Sequence, residues 1–172
     1  MSILDNYRDI ASKGLEEAHS LPFPVYSNHQ VWQLEADEVF RKEWVFICCE
    51  QELPNEGDYF AFQLAGEAIV ILRGKDDQLR ALSNNCRHRG TPLLPQGFGQ
   101  LGKTGKSNTL IVCPYHAWAY ETDGALKAAP LTGKIAVDKQ SHCLPTFNLQ
   151  NWHGLLFINL SENPQPLSQR LQ

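Results

Sequence analysis

"CRHRG" (residues 86–90) and, further on, "CPYHAW" (113–118) each set a histidine shortly after a cysteine. The first pair is Cys86 and His88, the second Cys113 and His116. A β-type run, "QLRALSN", leads to the first loop, and another, "TLIVCPY", carries the start of the second. Loops at neighbouring strand ends can bring four such side chains to one place. Two thiolates and two imidazoles suit either zinc or an iron–sulfur centre. Structural zinc is usually gripped by a closely spaced Cys pair and then a His pair. Here each loop supplies one Cys and one His. That division fits a [2Fe–2S] cluster with Cys86 and Cys113 on one iron and His88 and His116 on the other. A structural zinc module remains the alternative.

Outward from the loops the pattern is β-rich. "WVFICCE", "DYFAFQLAG", "EAIVILRG", "QLRALSN", "TLIVCPY", "WAYETDG", "ALKAAP" and "GLLFINL" are short runs separated by turn residues. "RGKDDQ" and "ETDGAL" read as hairpin turns. Residues 45–162 are therefore expected to form a mainly β domain, an antiparallel sandwich or small barrel with two ligand-bearing hairpin loops. Residues 1–44 read as an N-terminal helical arm: a short helix, an extended "LPFPV", then an approach helix capped by Ser27. On that helix Val31, Leu34, Val39, Phe40 and Trp44 share one stripe. Residues 163–172, polar and proline-containing, read as a linker.

The chain has 172 residues, 42% hydrophobic and 20% charged, with a net charge of −4. That is enough for one domain with a core. The acidic balance argues against a general nucleic-acid or anionic-membrane binder. No apolar run approaches the roughly 18 residues a membrane-spanning helix needs. The first residues lack the apolar centre of a secretory signal, so a cytoplasmic location is expected. The five cysteines, an odd number in a chain of this size, do not read as a disulfide framework. Cys48, Cys49 and Cys143 read as small, packed residues.

"CRHRG…CPYHAW" resembles the Rieske domain of ring-hydroxylating oxygenase α-subunits, and the flanks "VFRKEWVFICCEQELPNEGDYF", "EAIVILRGKDDQLRALSNNCRHRGTPL" and "WHGLLFINLSENPQPL" follow that family's order. The resemblance implies a Rieske-type fold and a 2Fe–2S cluster on Cys86, His88, Cys113 and His116. It implies electrons from a reductase or ferredoxin, passed to a mononuclear Fe(II) in a catalytic domain, in cis or in a neighbouring subunit of a trimer. That iron would need two His and a carboxylate. His19, His29, His142 and His153 offer no such set, so the chain is expected to be the electron-entry part of a larger mono- or dioxygenase. A free-standing Rieske ferredoxin is the alternative. Aromatic ring hydroxylation is the family's usual chemistry, with aromatic acids, aromatic hydrocarbons and quaternary amines all open as substrates.

The chain departs from the family in places. Ala117 stands where the family has Gly, and 24 residues separate His88 from Cys113. Thr91, Tyr115 and Trp118 stand where respiratory-type Rieske proteins carry two disulfide cysteines and a sulfur-directed Ser. Fewer donors to sulfur imply a potential toward the low end of the range, roughly −150 mV. Tyr120 is the candidate remaining donor, and Trp118 reads as packing beneath the loops. Arg87 and Arg89 read either as attractors of an acidic redox partner or as solvated loop charges. Finally, "GFGQLGKT" (97–104) matches both a phosphate-loop and a dinucleotide pattern. Each needs a strand before the glycines and a helix after them. The flanks "TPLLP" and "SNTLIVC" do not supply these, so no nucleotide is expected there, and the stretch reads as a flexible Gly/Lys excursion.

Overall fold

The computed structural model describes residues 3–102, 109–133 and 136–171. Among the described residues ten strands form two antiparallel sheets. The larger is built from β1 (Val45–Cys49), β2 (Asp58–Leu64), β3 (Glu67–Arg73), β4 (Leu79–Ser83), β5 (Gly97–Gln100), β9 (Thr146–Trp152) and β10 (Leu155–Asn159). Its order is β1-β10-β9-β4-β3-β2-β5. The smaller, β6-β7-β8, consists of Ile111–Val112, Ala119–Tyr120 and Leu126–Ala128. The mainly β architecture expected from the sequence is present, with an α-helix α1 (Ile3–Ala11) and a second, α2 (His29–Glu35), ahead of it.

Strand β3 explains why two layers form. Ile69, Val70, Ile71 and Leu72 are all 0% exposed. Alternate residues face opposite sides of a strand. Accordingly Ile69 and Ile71 pack with Cys48, Leu53, Ala81, Leu156 and Ile158. Val70 and Leu72 pack with Tyr59, Leu82, Trp118 and Tyr120, in the core that also contains Cys86 and Cys113. Each such side chain contributes roughly 1.5–3 kcal/mol when buried. One strand thus ties the structural core to the loops that matter chemically.

Several boundaries differ from the sequence expectations. The cap of α2 is Asn28, whose side chain accepts from the N–H groups of Gln30 (2.8 Å) and Val31 (3.4 Å), and not Ser27. After Glu35 the helix widens to a π-helical stretch over Ala36–Phe40. The wider turn breaks the 3.6-residue stripe. Val31 and Ala36 are buried, while Val39 and Phe40 turn outward. Within 163–172, the side chain of Leu167 is buried, its N–H donates to Gln150 Oε1 at 2.9 Å, and Trp44 Nε1 donates to the Gln165 carbonyl at 2.8 Å.

Strand β9 was not expected. Its polar residues, as in "NLQN", have low strand propensity, and pairing with β10 and β4 overrides that. The β9–β10 turn is His153–Gly154, with φ of 50° and 85°, a two-residue hairpin of the twisted kind. Strand β5 was not expected either: Gly97–Gln100 pairs with β2, Gly99 lying opposite Tyr59. A Cβ on Gly99 would fall on the Tyr59 ring, so packing accounts for this glycine. The first half of "GFGQLGKT" is therefore an antiparallel strand and not a flexible excursion; Lys103 and Thr104 lie outside the described residues. Among the described residues no helix is long and apolar enough to cross a membrane.

Candidate metal centre

The two ligand loops are one turn made twice. In the first, Cys86 N–H donates to the Thr91 carbonyl at 2.9 Å and Gly90 N–H to the Cys86 carbonyl at 2.8 Å. In the second, Cys113 N–H donates to the Trp118 carbonyl at 2.8 Å and Ala117 N–H to the Cys113 carbonyl at 3.1 Å. The fourth residue after each cysteine is left-handed, with φ of 68° at Gly90 and 57° at Ala117. Glycine accepts that conformation freely, whereas alanine loses roughly 1–2 kcal/mol in it. The substitution Ala117→Gly is thus expected to stabilise the chain by about 1 kcal/mol, raising Tm by about 2–4 °C. A thermal melt checks this; an unchanged or lowered Tm would show that the loop carries no such strain.

The first loop is held by a residue that sequence reasoning passed over. Asn84 is 4% exposed. Its Nδ2 donates to the Leu94 carbonyl at 2.9 Å and its Oδ1 accepts from Leu94 N–H at 2.9 Å. The side chain acts as a strand-like partner closing the base of the loop. The only signal was a polar residue ending the β-type run just ahead of Cys86.

With both turns in place, the thiols point inward. Cys86 and Cys113 are each 3% exposed, and neither is in a disulfide. Both lie near Tyr120, whose hydroxyl is 3.3 Å from Cys86 Sγ and within electrostatic reach of Cys113. That hydroxyl accepts the N–H of Arg87 at 3.0 Å, leaving its own proton for the sulfur. Burial first, and then the bond to Cys86, push the Tyr120 phenol above its ordinary value, so it stays a donor.

The imidazoles sit further out. His88 is exposed and His116 half-buried. Their ring centres are 4.9 Å apart at 62°. Trp118 lies parallel to His88, 4.8 Å away at 6°, and Tyr115 covers His116 at 3.7 Å. Each ring is thereby oriented by an aromatic neighbour. Desolvation, then His116 and Arg89, pull His88 below the usual imidazole value, toward the neutral form a metal ligand needs. His142, not expected near the site, meets the far side of this group through an edge contact with Trp118, centres 5.5 Å apart. Arg87 and Arg89 are exposed on the first loop.

Does this donor set fit a two-iron cluster? His116 Nδ1 is buried without any hydrogen-bond partner. Buried polar atoms almost always have one, and a metal bond would satisfy it. Two buried free thiols beside a phenol donor complete the other end. Two buried thiols and two less buried imidazoles fit a cluster with a different pair on each iron.

Comparison with known proteins agrees. Residues 43–148 match the profile described as the Rieske [2Fe-2S] domain. The carnitine monooxygenase oxygenase subunit of Acinetobacter baumannii is 36% identical over 155 residues, 90% of this chain and 40% of that relative. The glycine betaine monooxygenase oxygenase subunit of Chromohalobacter salexigens is 35% identical over 153 residues, 89% of this chain and 33% of that relative. Among solved structures, the apo form of a quaternary ammonium Rieske monooxygenase superposes with a TM-score of 0.78 at 35% identity, over 90% of this chain and 43% of that one. Naphthalene 1,2-dioxygenase from Rhodococcus sp., bound to indole, gives 0.80 at 25% identity, over 98% of this chain and 36% of that one. The chain spans 33–40% of the length of the two curated relatives named here. A turn made twice around a Cys–His pair, two buried thiols and a profile match over most of the β domain lead to one assignment: the chain belongs to the Rieske [2Fe-2S] domain family.

Proposed function

We propose that this chain is the electron-entry domain of an oxygenase, with Cys86 and Cys113 holding one iron of the cluster and His88 and His116 the other. The observation that carries the assignment is the buried, unpartnered His116 Nδ1 in a site whose thiols are buried too. A bound [2Fe–2S] cluster supplies a one-electron carrier. The protein's part is to set its access and poise. Cys86 and Cys113 anchor it in the core and exclude water from that side. His88 and His116 sit at the surface end, the short way in and out for an electron. Arg87 and Arg89, exposed beside them, favour an acidic reductase or ferredoxin as donor. In this reading residues 1–44 are the arm, 45–162 the cluster domain, and 163–172 lead toward a catalytic domain with mononuclear Fe(II). The relatives named above are carnitine and glycine betaine monooxygenases. By that likeness the whole protein oxidises a quaternary ammonium compound in preference to hydroxylating an aromatic ring.

Anaerobic titration of the loaded chain with dithionite tests the carrier role. Uptake of one electron per chain, followed by reoxidation, is expected; uptake of none, or of two, contradicts it. Tyr120 sets the poise in a measurable way. A hydrogen bond to a thiolate sulfur stabilises the more negative, reduced state. Tyr120→Phe removes the proton aimed at Cys86 and should lower the midpoint potential by about 60 mV, a tenfold change for one electron. Voltammetry reads it directly, and an unchanged potential would mean the phenol does not act on the sulfur.

A further inference from the structure

The sequence casts Trp118 as packing beneath the loops, and the structure leaves it with an unmet bond. The side chain is 4% exposed and belongs to the core group that contains Cys86, Cys113 and Tyr120. Its ring lies parallel to that of His88, centres 4.8 Å apart at 6°. An indole has one polar atom, Nε1–H, which can only donate. In Trp118 that atom is sealed from solvent and, among the described residues, has no hydrogen-bond partner. Buried Trp N–H groups ordinarily find one. A donor left unpaired loses its hydration with nothing in exchange.

Several acceptors lie nearby, and none takes this proton. Cys86 Sγ and Cys113 Sγ share the core group with the indole, yet neither accepts from Nε1. Nor does His142, whose Nδ1 is 2.7 Å from the Asp138 carbonyl and 2.9 Å from Ser141 Oγ. A further domain or subunit does not reach the atom either, because this chain's own atoms already cover it. What remains is a group that enters among the ligand side chains. The two buried thiols and the unpartnered His116 Nδ1 call for a cluster there, and a [2Fe–2S] cluster brings inorganic sulfide, an anionic acceptor that is strong where water is excluded. We propose that Trp118 Nε1–H donates a hydrogen bond to an inorganic sulfide of the cluster, so that the indole sets the reduction potential while it stacks on His88. The proposal rests on the cluster assignment above and adds a donor to inorganic sulfur beside the one that Tyr120 offers to Cys86. A hydrogen bond to sulfur favours the more negative, reduced state, so its removal lowers the midpoint.

The test compares the loaded parent with two replacements. Trp118→Phe keeps a ring against His88 without the N–H. A chain carrying β-(3-benzothienyl)alanine at position 118 keeps both rings and has sulfur in place of the N–H. Iron and sulfide are assayed first. Two of each in the parent uphold the cluster reading whatever the potential does; their absence overturns that reading and the proposal with it. Voltammetry should then show both replacements shifting the one-electron equilibrium roughly threefold toward the oxidised form, a midpoint lower by about 30 mV at about 59 mV per tenfold. A parent-like potential in the benzothienyl chain would overturn the proposal, since packing is retained there and only the N–H is gone. A second measurement needs no variant. The parent, grown on tryptophan isotopically labelled at Nε1 and then reduced, should show a weak coupling from the label in pulsed electron paramagnetic resonance, apart from the imidazole couplings. Among the described residues Trp118 is the one tryptophan in the core group of the two cysteines. No coupling from the label would mean that a trapped water takes the proton, and would overturn the proposal.

Discussion

Cys86→Ser and Cys113→Ser should each purify without iron and without labile sulfide. Serine keeps the size of the side chain but offers a hydroxyl that does not ionise near neutral pH, where iron–sulfur clusters require thiolates. Both cysteines sit in the core shared by Val70, Leu72, Trp118 and Tyr120, with no other sulfur in that group to substitute. The remaining cysteines provide the contrast. Cys48 packs in the opposite core, and burial raises its thiol to about 12, so it holds no thiolate at neutral pH. Cys143 donates to the Lys139 carbonyl at 3.4 Å. Cys48→Ala and Cys143→Ser should therefore retain full iron and sulfide. Elemental analysis with a sulfide assay decides. Loss of cluster in the Cys143 variant, or retention in either ligand variant, would show that the ligands are misassigned.

The second large effect is expected at Asn84. Its amide satisfies both the N–H and the carbonyl of Leu94 in a site that is 4% exposed. Asn84→Ala strands both groups away from water, at roughly 1–3 kcal/mol for each group. A total near 3 kcal/mol corresponds to a fall in Tm of about 6–12 °C for a chain of this size. The loop it closes carries Cys86 and His88, so cluster loss on dialysis against a chelator should also quicken. A melt shift below about 2 °C, less than 1 kcal/mol on the same scale, would mean that water replaces the amide and that the loop closes without it.

How much of this was legible beforehand depends on what carried the signal. The family was legible because two Cys–His pairs recur at fixed spacing, and strands β1 to β4 because their apolar runs are bounded by turn residues. The departure at Ala117 was visible as a missing glycine, and the positive φ that both loops share shows what glycine would supply there. What stayed hidden was set by tertiary partners. Strand β9 reads as polar and becomes a strand by pairing on both edges. Strand β5 is glycine-rich because Tyr59 lies across it, which no local pattern announces. Asn84 looks like any loop asparagine until Leu94 is seen opposite. The π-helical turn after Glu35, which moves Val39 and Phe40 off the buried stripe, likewise has no periodic signature of its own.

The central claim is that two imidazoles and two thiolates divide one cluster between them. Pulsed electron paramagnetic resonance on the reduced, loaded chain tests this most directly, because nitrogen bound to iron couples to the unpaired electron. The account predicts two irons and two sulfides per chain and nitrogen couplings from two imidazoles, with one set lost in His88→Cys and the other in His116→Cys. A reduced cluster without nitrogen coupling, or a colourless protein holding stoichiometric zinc and no sulfide, would contradict it.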